Sequence, residues 1–287
     1  MKTKTIRILQ GLGIVLLAVV LGVLALRPFY LNWGATAEDQ VRAMPGDLSG
    51  TRWTRAIIIG ATPEQIWPWL VQFGQGRGGW YSYDWLENLL GFDIHTAPGI
   101  VPEYQNPQIG EKICMSATFC VSAVSVIEPY QWFGWQAKDD SGKPIWSFTF
   151  GLFPLVSTHT RLVVRESFDP IDMPVAATTA LEIPDAVMVQ KMLSTLKDRA
   201  EGQMGSALTT IYEIVVWLAA FAIGVMAVVL VVARRDGKKA LAVGVAAVLV
   251  LLVLTLVFPP YWLRGVLVIA LLGGLVWSWR RTAKVSS

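Results

Sequence analysis

The stretch RWTRAIIIGATPEQIWPWLVQF, residues Arg52 to Phe73, decides the fold. Its first part, Arg52 to Gly60, holds three consecutive isoleucines and stops at small residues, the pattern of a strand that ends in a turn. Thr62-Pro63-Glu64 then supplies a capping side chain, a proline for the first helical position and an acid for the first turn. A helix is predicted to begin there. Ile66, Trp69, Leu70 and Phe73 follow at helical spacing, and Gly74 opens the glycine-rich stretch that ends the helix.

Beyond this strand and helix, Tyr83 to Leu90 reads as a second short helix closing at Gly91. From Val101 to Phe168 the chain turns into short β-prone runs: Lys112–Met115 paired with Cys120–Ile127, then Tyr130–Ala137, Pro144–Leu152 and Thr158–Phe168. The cluster Asp139-Asp140-Ser141-Gly142 marks a turn between two of them. Helical periodicity returns over Glu182–Gln203, with Met188, Met192 and Leu196 on one stripe and Val189, Leu193 and Ala200 beside it. Strand, two helices, several antiparallel strands and a long closing helix make an α+β order.

Four motifs carry a family resemblance. They are Trp33-Gly34-Ala35-Thr36, Met44-Pro45-Gly46-Asp47, the run Pro63 to Gln72, and Arg77-Gly78-Gly79-Trp80-Tyr81-Ser82-Tyr83-Asp84-Trp85-Leu86-Glu87-Asn88. Together with the order of elements they resemble the START-like, Bet v 1-like (SRPBCC) superfamily, and within it bacterial members described as polyketide cyclase/dehydrase-like. The resemblance spans roughly residues 33 to 203. It implies a helix-grip fold, a curved antiparallel sheet around a long C-terminal helix, with an internal cavity reached past the two short helices. It also implies an apolar or amphipathic ligand, lipid-like or polyketide-like. Only some members of the superfamily are enzymes.

Outside that region lie four apolar runs, Ile8–Leu26, Ile214–Ala233, Ala240–Phe258 and Tyr261–Trp279, of 19 or 20 residues each. Each is long enough to cross a hydrocarbon core of roughly 30 Å as a helix. The expected organisation is an N-terminal anchor over 1–30, a helix-grip domain over 31–205 and a three-helix transmembrane region over 206–287. Lys2, Lys4, Arg7, Arg234, Arg235, Lys238, Lys239, Arg280, Arg281 and Lys284 fall on one side of such a topology, and only Arg27 and Arg264 flank the spans on the other. The positive-inside bias then predicts N-in and C-in, with the soluble domain outside a bacterial cytoplasmic membrane. Ala35-Thr36-Ala37 has the form of a signal-peptide cleavage site, but it follows Arg27 and Pro28 at a distance, so retention of the first span is expected.

The net charge of +3 conceals a partition: residues 35–205 hold 12 Lys/Arg against 19 Asp/Glu, and the remainder holds 12 against 2. An acidic domain without a basic stripe argues against nucleic acid as a partner. The lipid bilayer and an apolar small molecule are the expected partners, with room for a membrane-protein partner of unknown kind. Cys114 and Cys120 are the two cysteines. A short hairpin loop between them permits a disulfide, whereas a straight strand would hold them ~20 Å apart as free thiols. Neither His95 nor His159 is near them in sequence, so no metal site is expected, and no cofactor is implied.

Candidate ligand-binding residues are Arg77, Trp80, Tyr81, Tyr83, Asp84, Trp85 and Glu103. Aromatic rings with polar tips can line a cavity and hold a headgroup, and Arg77 offers a fixed charge for a carboxylate or phosphate. The structural alternative pairs Arg77 with Asp84 or Glu87 and packs the rings against the sheet. Gly74-Gln75-Gly76-Arg77-Gly78-Gly79 has the letters of a dinucleotide fingerprint but follows a helix instead of a strand, so a tight loop is expected. Tyr81, Tyr83, Asp84, Glu103, His159, Arg161 and Glu166 are the groups available for acid–base chemistry, and their spacing marks no catalytic residue. Arg161 and Arg165 should share one face of their strand and Glu166 the other, as solvated faces or ion pairs. Three functions follow in order: a ligand-binding module, a cyclase, dehydratase or hydrolase on an apolar substrate, and an interaction module whose cavity its own side chains fill.

Overall fold

The computed structural model describes residues 2–156, 158–170, 175–203, 207–233 and 238–283. Arg234, Arg235 and Lys284 of the charge argument lie outside the described residues. In chain order the elements are helix α1 (Lys2–Leu31), helix α2 (Ala37–Val41), strand β1 (Arg52–Ile59), helices α3 (Pro63–Leu70) and α4 (Asp84–Leu89), and a 3-10 turn (Pro102–Tyr104). Strands β2 (Lys112–Ile113), β3 (Ser122–Glu128), β4 (Trp132–Lys138), β5 (Pro144–Val156) and β6 (His159–Phe168) follow, then helices α5 (Val175–Ala200), α6 (Ala207–Ala233), α7 (Lys238–Leu256) and α8 (Tyr261–Ala283). Contacts divide the chain into two units, Leu31–Gly205 and Met1–Tyr30 with Ser206–Ser287.

In the first unit six antiparallel strands run in the order β1-β6-β5-β4-β3-β2, and α5 packs on one face. This is the helix-grip architecture. Alternation sorts the side chains: Phe133 and Trp135 of β4, Phe148, Phe150 and Leu152 of β5, and Leu162 and Val164 of β6 meet Val189, Met192, Leu193 and Leu196 of α5 in one buried core. The predicted stripe on the closing helix therefore faces the sheet.

The outer face is covered by the strap of residues 33–50, which carries two of the resemblance motifs. Gly34, at φ +69°, passes so close to β1 that a Cβ would strike the Ala56 carbonyl oxygen, and Ala56 N–H donates to the Trp33 carbonyl at 2.9 Å. Arg161 pairs with Asp39. Arg165, 1% exposed, donates to the carbonyls of Asp39, Gln40 and Arg42 and to the Asp47 carboxylate at 3.0 Å. Ser147 and Thr149 donate to the carbonyls of Gly46 and Pro45 at 2.6 and 2.9 Å. The Ala35-Thr36-Ala37 triplet is built into this strap, with Thr36 capping α2 through a reciprocal pair of hydrogen bonds with Asp39.

Several boundaries differ from the reading of the sequence. Helix α3 stops at Leu70, and Phe73 lies in the turn after it. The stretch after Val101, expected as β-prone, begins with a 3-10 turn. Helix α5 begins at Val175, well before Glu182, and runs through Pro184. The Ile183-Pro184 pair looks like a break because proline disfavours helical geometry in the residue before it, and tertiary packing overrides that. Helix α7 ends at Leu256 instead of Phe258, because Pro259 and Pro260 follow and Phe258 turns to φ +54°.

Among the described residues, four helices are long and apolar enough to cross a membrane: Leu9–Leu31, Leu208–Val231, Lys239–Leu256 and Tyr261–Trp279. Helices α6 and α7 meet through small residues, Gly224 facing Ala247 and Gly244 facing Ala227. Such residues let helix backbones approach closely. Glu213 of α6 and Arg264 of α8 form a buried ion pair at 3.0 Å.

Candidate functional site

The inner face of the sheet carries its charged side chains at one end. There the register places Trp53 opposite Glu166 and Phe148 opposite Glu166, with Arg55 opposite Val164, so Trp53, Arg55, Trp146 and Glu166 all look toward α5. Arg55, 1% exposed, donates to Glu166 Oε1 at 3.0 Å and to Asp185 Oδ2 at 2.7 Å. Trp146 Nε1 donates to Glu166 Oε2 at 3.3 Å. Glu182, one helical turn before Asp185, is fully buried. One guanidinium thus bridges two carboxylates from a strand and a helix.

Charge at this depth must be compensated. Burial pushes the Glu166 carboxyl well above the ordinary glutamate range, and the neighbouring Asp185 adds to the rise, with Arg55 and the Trp146 hydrogen bond offsetting part of it. The cluster can hold a proton on Glu166, orient a polar headgroup, or exchange a proton with a bound molecule. Arg161 and Arg165 lie on the outer face and Glu166 on the inner one, as alternation predicts, and all three form ion pairs, one of the two expected outcomes.

Arg55 and Asp185 escape a reading by motif. A visible signal for Arg55 existed: it takes the same phase as Trp53, Ile57 and Ile59 in β1, so a charge stood on the buried side of an apolar strand.

The seven predicted residues separate. Trp80 enters the core, stacked on Phe73 at 5.9 Å and edge-on to Trp135 at 5.6 Å. Tyr81 is buried at φ +56°, and its hydroxyl accepts from Gln72 Nε2 at 2.7 Å and donates to the Trp69 carbonyl at 3.1 Å. Burial raises its pKa. Arg77 is not the open clamp: it donates to the carbonyls of Val71 and Phe73 at the end of α3 and pairs with Glu111, not with Asp84 or Glu87. Asp84 accepts from Thr96 N–H and Oγ1, both at 2.7 Å. Tyr83 lies under Lys191, Trp85 is 46% exposed and Glu103 sits exposed in the 3-10 turn. The glycine-rich stretch is a tight loop closed by paired Gly74–Gly79 hydrogen bonds at 3.1 Å.

Cys114 and Cys120 are joined by a disulfide, with Cα atoms 4.0 Å apart. His95 is exposed beside Asp93, and His159 is exposed at the start of β6. Among the described residues no group of three or more His, Cys, Asp or Glu side chains could hold a metal ion.

No family model matches the sequence, and no curated protein matches it. Among solved structures, the chain is similar to the Aha1 dimer from Colwellia psychrerythraea at 18% identity and TM-score 0.33, over 54% of this chain and 99% of that one. It is similar to the Zhui aromatase/cyclase from Streptomyces sp. R1128 at 13% identity and TM-score 0.31, over 55% and 97%. It is also similar to Ara h 8.0201 at 11% identity and TM-score 0.31, over 53% and 98%.

Proposed function

We propose that the α+β unit binds an apolar or amphipathic small molecule between the sheet and α5, and that the flanking spans hold it on the outer side of a cytoplasmic membrane. The observation that carries the binding reading is the Arg55–Glu166–Asp185 cluster with Trp146, a charged anchor at one end of a largely apolar interior. Small-molecule sites have this composition, apolar walls with a few placed polar groups. The outer location rests on the distribution of basic residues around the spans, and tethering at both ends keeps the domain where it can exchange a ligand with the bilayer.

Native mass spectrometry of the full-length protein, released from detergent and offered a panel of lipids and polyketides, tests the reading. A bound species in the wild type that Glu166→Gln weakens supports it. A protein that carries nothing and takes up nothing from the panel overturns it.

The same cluster supports a second reading, an enzyme of cyclase, dehydratase or hydrolase type. A buried carboxyl with a raised pKa, here on the sheet face toward α5, is what a general acid requires. Conversion of a bound panel member, abolished by Glu166→Gln while binding persists, would establish it over simple binding.

A further inference from the structure

Three buried indoles on the inner side of the α+β unit lack what Trp146 has. Trp53, Trp80 and Trp135 are 6%, 7% and 0% exposed, and their Nε1–H groups meet no acceptor among the described residues. Buried donors are almost always paired, with protein, water or ligand. Trp80 and Trp135 belong together. Their centroids are 5.6 Å apart at 62°, and both contact Phe73, at 5.9 and 6.4 Å. Trp135 is further ringed by Phe133, Phe148 and Phe150 at 6.0, 4.9 and 5.7 Å. These neighbours are hydrocarbon rings that offer no carbonyl or carboxylate.

We propose that Trp80 and Trp135 form a donor pair for a neutral oxygen acceptor, the ketone, ester or ether oxygen of an otherwise apolar ligand. The inference rests on the binding reading above and adds the chemistry of what is bound. A neutral acceptor fits better than an anion, because the rings around Trp80 and Trp135 carry no charge. Arg55 bridges Glu166 and Asp185, and Arg199 lies over the Trp69 and Tyr81 rings and donates to the Ala97 carbonyl, with its Nε having no partner among the described residues. An anion at the indoles would be buried without compensation. Trp80 was a candidate from the sequence. Trp135 carries no local mark, being one aromatic among several in an apolar strand.

The test uses full-length protein labelled with nitrogen-15 in nanodiscs, titrated with 2-undecanone or with undecane, two probes of equal chain length that differ in one carbonyl. The indole N–H resonances of Trp80 and Trp135 are assigned by Trp80→Phe and Trp135→Phe, which keep a ring and remove the donor. The expected result is a downfield shift of both resonances with the ketone alone. The wild type should prefer the ketone to the hydrocarbon, by roughly fivefold for one hydrogen bond and thirtyfold for two. Each Phe variant should reduce that preference. The ligand-free variants should melt no lower than the wild type by more than the loss of ring area explains, because each has shed an unpaired donor. If both probes bind equally and the indole resonances stay put, the donors rest on ring faces or trapped water; the inference falls and the binding reading survives. If neither probe binds, the inference falls, and the panel of lipids and polyketides decides the binding reading by itself.

Discussion

Glu87 is 5% exposed on α4, and its Oε2 has no partner among the described residues. Burial, followed by the Asp84 charge, pushes its carboxyl from 4.5 up to about 7. The folded protein therefore holds this proton over a range where the unfolded chain has released it, so the group's contribution to stability is complete below about 4.5 and is lost as the pH rises to about 7. Glu166 acts with the same sign, because its pKa is also raised. The α+β unit should accordingly melt lower at pH 8 than at pH 5. Glu87→Gln should flatten part of that slope and stabilise the protein at pH 8 by at most about 3 kcal/mol, at ~1.4 kcal/mol per pH unit. Melting curves of wild type and variant across this range decide the matter, and identical slopes would show that Glu87 is not titrating there.

The elements differ in how far local sequence determines them. Thr62-Pro63-Glu64 was legible because a helix start is written in adjacent residues, and Gln65 Oε1 does accept the Thr62 N–H at 2.9 Å. The strands were legible from alternation and turns, though β5 extends to Val156, four residues beyond its expected end. The strap was not legible as a cover, because its side-chain partners on β5 and β6 are 101 to 127 residues away in sequence. The candidate site has the same difficulty: Arg55, Trp146, Glu166 and Asp185 come from three strands and a helix, and Arg55 to Asp185 spans 130 residues. Density of aromatics drew attention to residues 80–85, whereas tertiary pairing sends most of them to structural work. Arg165 is the keystone of the strap. Arg165→Met removes the donor of three carbonyls and leaves Asp47 with only Met44 N–H and Arg52, and it should cost roughly 3–5 kcal/mol, as breaking a buried ion pair does. Arg165→Lys should recover less than half, since an ammonium cannot reproduce the planar fork. Urea unfolding of the two variants measures this, and a methionine variant within 1 kcal/mol of wild type, roughly the scale of a surface substitution, would remove the strap from the account of stability.

For the whole molecule, the proposed orientation has a consequence that the two cysteines make measurable. If the α+β unit lies outside the cytoplasmic membrane, Cys114 and Cys120 are in an oxidising compartment where a disulfide persists, whereas cytosolic reductants would hold most such pairs open. They are also the chain's only cysteines, so thiol chemistry reports on this unit alone. In intact spheroplasts a membrane-impermeant maleimide should fail to label the protein until an impermeant reductant is added, and should then label it without lysis. Labelling that requires lysis would place the unit in the cytosol, whereas labelling of intact spheroplasts without any reductant would keep it outside and show the pair open. The basic residues test the same point independently. Replacing Lys2, Lys4 and Arg7 with neutral residues weakens the retention of the N-terminus, but Lys238, Lys239, Arg280 and Arg281 still hold the later spans. The substitution should therefore lower the fraction of correctly inserted protein in the maleimide assay without inverting the whole chain. A complete inversion would mean that the first span alone sets the topology.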